Sequence, residues 1–314
     1  MLQILQVVLP VFILIGAGYL AAYKKRFNAD QANGLMRFTT QFAIPCLLFL
    51  GVSKLDLEAI FKPDLLVPFY VGALFSFAVV AMMAKFFFRH TTDKSIAIGF
   101  TGFFSNSVLI GVAIVELAYG MVGLESAFAV IAIHAPFCYV IGITAMELSK
   151  SKTSAQGINI SSTVATVFKQ VFSNALTVGL MLGFAVNLLN ITLPVVVMTA
   201  VDLFARAAVP AALFALGAIL MSYKVAEDLS EVAVVSIGKL IIHPMVAYLL
   251  GRFVFNLPGE LLKPMVIIAA MPPGVNAYVF ATMYESGREV AASSVLIATA
   301  LSIVSISAWL VYFG

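Results

Sequence analysis

The chain has 314 residues, of which 62% are hydrophobic and 11% charged, with a formal net charge of +3 and a mean hydropathy of +1.07. A soluble domain carries roughly 25% charged residues, so this composition excludes one, and the charges fall in clusters between apolar stretches of about twenty residues, the length a bilayer-spanning helix needs. The short alternation of β-barrel strands is missing, and the small basic excess flanks apolar segments, which argues against nucleic acid as a partner.

Ten segments read as transmembrane helices: 2–23, 32–53, 67–88, 95–119, 124–147, 172–190, 194–222, 232–255, 260–285 and 290–313. The first has no basic stretch before it and no small-residue cleavage site before Lys24, so it reads as a retained helix, not a signal peptide. In the second, Pro45 predicts a kink, with Gln41 one turn earlier and Arg37 snorkelling near the start. The fourth carries a polar run at mid-span, Thr101-Gly102-Phe103-Phe104-Ser105-Asn106-Ser107. The fifth holds His134 beside Pro136. A Ser/Thr/Gly/Lys-rich stretch from Ser149 to Ser162 then reads as a flexible linker, giving a first half at 1–148, a connection at 149–171 and a second half at 172–314.

The seventh segment contains Pro210 with Asp202 and Arg206 ahead of it. Those two are spaced i,i+4, acid before base, and can form an intrahelical pair that lowers the cost of burying both. Contact with a substrate is the alternative, for Arg206 as for Gln41. The eighth segment has Lys239 and His243 one turn apart. Histidine titrates near neutrality, so His134, His243, Lys239 and Asp202 are candidates for carrying a coupled proton, weighed against simple buried pairing. Cys46 and Cys138 lie in apolar runs and read as small buried residues, with no disulfide or metal site.

The ninth segment is interrupted near its middle by Met271-Pro272-Pro273-Gly274-Val275-Asn276. Two prolines remove two backbone donors and push the preceding residue out of helical geometry. Gly274 accepts whatever backbone angle the break requires. In hydrocarbon the freed backbone groups survive only inside protein or beside a wet cavity. In the fourth segment, Ser105, Asn106 and Ser107 are good caps and poor lipid-facing residues. If both segments unwind and cross, two half-helix N-termini begin near Asn106 and Pro273, each with free N–H groups and about half a positive charge. The predicted site is therefore an anion site made of Ser105, Asn106, Ser107, Pro272, Pro273, Gly274 and Asn276, with the two asparagine amides as donors.

The halves also resemble each other. Ile44-Pro45-Cys46-Leu47-Leu48-Phe49 matches Val209-Pro210-Ala211-Ala212-Leu213-Phe214, and Ser105-Asn106-Ser107 matches Val275-Asn276-Ala277. Five helices per half, an odd number, would make the second copy inverted, the plan of many secondary transporters. Odd-numbered connections hold Lys24, Lys25, Arg26, Lys85, Arg89, Lys94, Lys150, Lys152, Lys169, Lys224 and Arg288; even-numbered ones hold only Lys54, Lys62, Arg252 and Lys263. Positive residues stay cytoplasmic, which puts both termini outside. No metalloprotease pair, nucleophile elbow, phosphate-binding loop or paired cysteine motif occurs, so neither an enzyme nor a cofactor is expected.

Met271-Pro272-Pro273-Gly274-Val275-Asn276-Ala277 and Ser105-Asn106-Ser107-Val108-Leu109-Ile110-Gly111 resemble the ninth- and fourth-helix motifs of the auxin efflux carrier family. His134-Ala135-Pro136-Phe137-Cys138-Tyr139 and Gly16-Ala17-Gly18-Tyr19 are similar to bacterial members described as malonate or malate transporters. The resemblance spans essentially the whole chain. It implies an all-α fold of ten membrane helices in two inverted repeats, with the fourth and ninth crossing. It also implies export or exchange of small organic anions across a bacterial inner membrane. Helices 1, 2, 6 and 7 would form a scaffold, often dimeric, against which helices 3–5 and 8–10 slide. Many relatives have proline two residues after the helix-4 glycine; this chain has Ala113, so its fourth-segment break is less strongly encoded. A sodium- or proton-coupled carrier of the bile-acid or sodium–proton antiporter type is an alternative, as is a membrane sensor that moves nothing.

Overall fold

A computed structural model describes residues 2–57, 61–153, 160–223, 225–226 and 229–314, and among these every regular element is helical. In chain order they are α1 (Leu2–Tyr23), α2 (Ala29–Ser53), α3 (Pro63–Phe87), α4 (Thr92–Phe103), α5 (Val112–Thr153, entered through a π-helical turn at Ser107–Gly111), α6 (Ile160–Phe172), α7 (Ala175–Leu188), α8 (Val195–Leu220), α9 (Ser230–Val254), α10 (Gly259–Ala269), α11 (Val275–Met283) and α12 (Arg288–Phe313). Seven helices among the described residues are long and apolar enough to cross a membrane, and α7 is a shorter apolar helix. The expected segments 95–119 and 260–285 are both interrupted, at Phe104–Asn106 and at Ala270–Gly274. The expected boundary between the fourth and fifth segments is a turn inside one helical run, at Gly120 with φ 63° and ψ −153°.

The connection expected at 149–171 is largely helical where it is described. α5 continues to Thr153 and α6 occupies Ile160–Phe172; residues 154–159 lie outside the described residues, as does Lys224 of the charge count. The stretch Ile160–Phe172 folds because its apolar residues recur at helical spacing, with Val164 and Phe168 on an exposed face.

The chain divides into two compact units. The first comprises 1–62, 108–132 and 172–222, the second 63–107, 133–171 and 223–314. In the first, α1 packs on α8 and α2 on α7 at close range. A Cβ on Gly18 would strike the Phe214 carbonyl, and one on Gly217 the Ile15 carbonyl, so glycine is what lets these backbones touch. Asn187 closes the second pair, its Nδ2 donating to the carbonyls of Val52 (3.1 Å) and Leu55 (2.8 Å) at the end of α2.

In the second unit, α3 packs against α4 and α9. Phe100, Phe103, Cys138, Tyr139 and Phe280 form a core, with Phe100 stacked on Phe280 at 3.8 Å between centroids. Prolines shape the helices as expected, but by π-helical turns. Pro45 follows one at Thr39–Ala43 and Pro244 follows one at Gly238–Ile242, where the backbone reorganises around the missing donor. Pro210 sits within a regular α8.

Candidate functional site: the paired helix breaks

Two helices of the second unit stop at mid-length, and their extended residues meet. Ser105 and Pro273 form an antiparallel bridge. The Asn106 N–H donates to the Pro272 carbonyl (2.8 Å), and the Gly274 N–H donates to the Phe104 carbonyl (2.9 Å). Each break thus satisfies backbone groups that the other exposes, which is how non-helical backbone survives at this depth. Gly274 adopts φ −79° and ψ 158°, an extended conformation open to any residue. Its role is therefore close approach: a Cβ there would lie 3.1 Å from the Ser105 carbonyl oxygen and 3.2 Å from the Phe104 ring.

Around this bridge several polar atoms have no protein partner. Ser105, Asn106 and Ser107 are 2%, 4% and 1% exposed, and Ser105 Oγ, Asn106 Nδ2 and Ser107 Oγ are buried without a hydrogen bond. Orphaned buried donors are rare because each costs about 1–3 kcal/mol. Here three follow one another in sequence. Helices begin here as well. α11 starts at Val275 with Gly274 as an N-cap that offers no side-chain hydrogen bond, and the chain re-enters helix at Ser107. The first amides of each lack intrahelical acceptors and carry partial positive charge. Asn276, half-buried, stands on the first turn of α11.

His134 fixes the back of the site. Its Nε2 accepts the Ser105 N–H at 2.9 Å, so the proton of the neutral ring resides on Nδ1, 3.8 Å from Cys138 Sγ. Phe104 packs edge-on against the same ring at 5.0 Å.

The two half-helices that arrive at the crossing are capped at their C-terminal ends. In α4 the Gly102 carbonyl accepts from Ser76 Oγ of α3 at 2.9 Å. In α10 the Ala269 carbonyl accepts from Lys239 Nζ of α9 at 3.2 Å. Lys239 is fully buried, and its other partner is Nδ1 of the equally buried His243, whose Nε2 donates to the Phe69 carbonyl at 3.1 Å.

Of the predicted residues, Ser105, Asn106, Ser107, Pro272, Pro273, Gly274 and Asn276 come together at the bridge, and His134, Lys239 and His243 belong to the same unit. Gln41, Asp202 and Arg206 belong to the first unit. Gln41 is exposed, and Arg206, with its side chain 76% exposed, pairs along its own helix with Asp202 through two contacts of 2.8 Å. Ser76 was not foreseen, since one serine in an apolar span gives no signal of which carbonyl it will meet. Among the described residues no group of three His, Cys, Asp or Glu could hold a metal ion.

The family model described as membrane transport protein matches residues 3–310, nearly the whole chain with both breaks inside it. The chain belongs to that family. This agrees with the resemblance to auxin efflux carriers read from the two motifs. Among similar proteins is one from Rhizobium meliloti (strain 1021) named "Putative malonate transporter", 25% identical over 309 residues covering 98% of this chain and 95% of that one. Another is "Uncharacterized transporter YfdV" of Escherichia coli (strain K12), 23% identical over 312 residues, 96% of this chain and 95% of that one. A third, the mouse "Lysosomal cholesterol signaling protein", is 26% identical over 97% of this chain but only 37% of its own length. The chain is thus a multi-pass member of a membrane transport family.

Proposed function

We propose that this protein is a secondary active transporter of small organic anions, carboxylates first among them, which bind at the paired breaks and cross by alternating access. The observation that carries the reading is the set of orphaned donors at Ser105, Asn106 and Ser107 beside two helix starts, that of α11 with no side-chain cap. Free N–H groups, an amide and hydroxyls are the donors a carboxylate needs, and the helix ends add positive potential without a titratable group. Asn276, half-buried on the first turn of α11, would add its Nδ2 to the set. The name of the Rhizobium relative points to the same substrate class.

On this reading the ten segments form two inverted five-helix repeats, with both termini outside a bacterial inner membrane. The first, second, sixth and seventh segments act as scaffold, a natural place for a homodimer contact, and the third to fifth and eighth to tenth as the moving transport unit. No nucleic acid and no cofactor enter the cycle; gradients drive it. The name of the mouse relative favours a sensor as the second reading, and flux separates the two.

The test is calorimetric titration of the purified full chain with mono- and dicarboxylates, malonate included, followed by flux into proteoliposomes. Asn276→Ala should weaken binding by about tenfold or more, the loss expected for a hydrogen bond to a charged group. Unchanged affinity in a folded variant would remove Asn276 from the site. Binding without flux would favour the sensor.

A further inference from the structure

Lys239 stands out because a lysine wholly buried in an apolar helix normally has a carboxylate partner. Among the described residues it has none. Its partners are His243 Nδ1 and the Ala269 carbonyl. The favourable charge it meets is the negative end of α10, whose last carbonyls are exposed by the break three residues later at Pro272. An ammonium here is held by a helix end and a neutral imidazole, with no carboxylate among the described residues to fix its proton in place.

The neighbouring groups decide which atom moves it. His243 Nε2 is committed to the Phe69 carbonyl and keeps its hydrogen, so only Nδ1 faces Lys239. The pair therefore shares at most one added proton: amine with imidazole, or ammonium donating to imidazole. His134, on α5, accepts the Ser105 N–H at Nε2, and protonating that atom would set two donors face to face. Cys138 and Tyr139 of α5 and Tyr70 of α3, the last stacked on His134, are further titratable groups of this layer. The charged residues of the packed helices stand toward their two ends: Asp64 and Lys85 on α3, Asp93 and Lys94 on α4, Glu147 and Lys150 on α5, Glu231 and Arg252 on α9 itself, Glu260 and Lys263 on α10, and Arg288 and Glu289 on α12. Asp202 is paired with Arg206 in the other unit.

We propose that the Lys239–His243 pair is the proton-coupling site of the transporter, taking up one proton when an organic anion occupies the paired breaks and releasing it when the anion leaves. This rests on the anion reading above. The Lys239 amine gains a proton from hydronium in the solvent: an N–H bond forms as an O–H bond breaks, leaving ammonium and water, and on anion release the proton returns to water. Ala269 and Pro272 are three residues apart, at most about 11 Å of chain, so an anion at the breaks attracts the ammonium. At an effective dielectric near 20 that attraction is worth about tenfold in affinity. The linkage is reciprocal: the anion favours the ammonium, and the ammonium favours the anion. Affinity is then highest at low pH, falls as the pair loses its proton and levels off above, the opposite of a site where the anion displaces a proton.

The test uses malonate and the purified full chain, between about pH 7 and 9, where the diacid is fully ionised. Titration calorimetry in two buffers of different ionisation enthalpy gives the protons taken up per malonate bound. Wild type should take up a fraction of a proton that passes through a maximum within this range, with affinity falling about tenfold across it. Lys239→Met should bind malonate with no uptake and no pH dependence. Lys239→Arg, whose guanidinium never deprotonates, should do the same with wild-type low-pH affinity, and covers the case in which the Met variant fails to fold. Binding by wild type without proton uptake, or uptake that persists in either variant, overturns the proposal and leaves the anion site standing. Absence of any carboxylate binding overturns both.

Discussion

Two half-helices end at the same crossing, and they are finished differently. α4 ends with the Gly102 carbonyl accepting from the Ser76 hydroxyl; α10 ends with the Ala269 carbonyl accepting from the Lys239 amine. Both donors are fully buried, and each comes from a neighbouring long helix, α3 or α9. As hydrogen bonding the two solutions are equivalent, because a freed carbonyl needs only a donor. As electrostatics they are not. Serine meets the need with a neutral group, while lysine brings a group that can carry charge into a layer where, among the described residues, no carboxylate answers it. Stability alone would be served by two serines, so the lysine points to a use for charge that the α4 end does not have.

The comparison presumes that the bridge holds both ends in place, and breaking the bridge should have the largest effect. In Gly274→Val, branched carbons would enter a space where even a Cβ sits 3.1 Å from the Ser105 carbonyl. Forcing the two strands apart should cost about 3 kcal/mol of stability and abolish carboxylate binding. Chemical denaturation in detergent micelles with parallel calorimetry checks both; a variant that binds normally would show that the pairing is incidental. His134→Leu keeps the bridge but strands the Ser105 N–H, and should lower stability by about 2 kcal/mol. Equal stability in the same denaturation series would mean that water replaces the ring.

Ser76→Ala isolates the neutral cap. The Gly102 carbonyl loses its donor at a cost of about 1 kcal/mol, while the pH dependence of anion binding should stay as in wild type. A changed pH profile in Ser76→Ala would erase the distinction between the two ends. The smallest effect belongs to Arg206→Ala. Its ion pair with Asp202 is largely exposed, so stability should move by less than about 0.5 kcal/mol and malonate affinity not at all. A clear loss of affinity would restore Arg206 as a substrate ligand.

Much of the fold was legible in the sequence because its signals are local. Twenty-residue apolar runs mark helices, and their ends agree with the structure to within a few residues. Pro272-Pro273 forbids a continuous helix whatever surrounds it. The weaker break at Phe104–Asn106 was readable only as a polar run. With no proline to enforce it, it exists because Asn106 and Phe104 find backbone partners at Pro272 and Gly274. Between the halves, composition read coil over 149–162, whereas the described residues at both ends of that stretch are helical, and apolar spacing builds α6 from Ile160 onward.

The amino-acid order by itself determined that this chain spans a membrane, where its helices run and that one of them must break, because hydropathy and missing backbone donors act within a few residues. Only the tertiary structure decided that the two breaks pair with each other and that Lys239 and Ser76 cap the ends they create. Those are contacts between residues that can be far apart in the chain. Which donor reaches which carbonyl depends on how whole helices pack, and no local pattern encodes it.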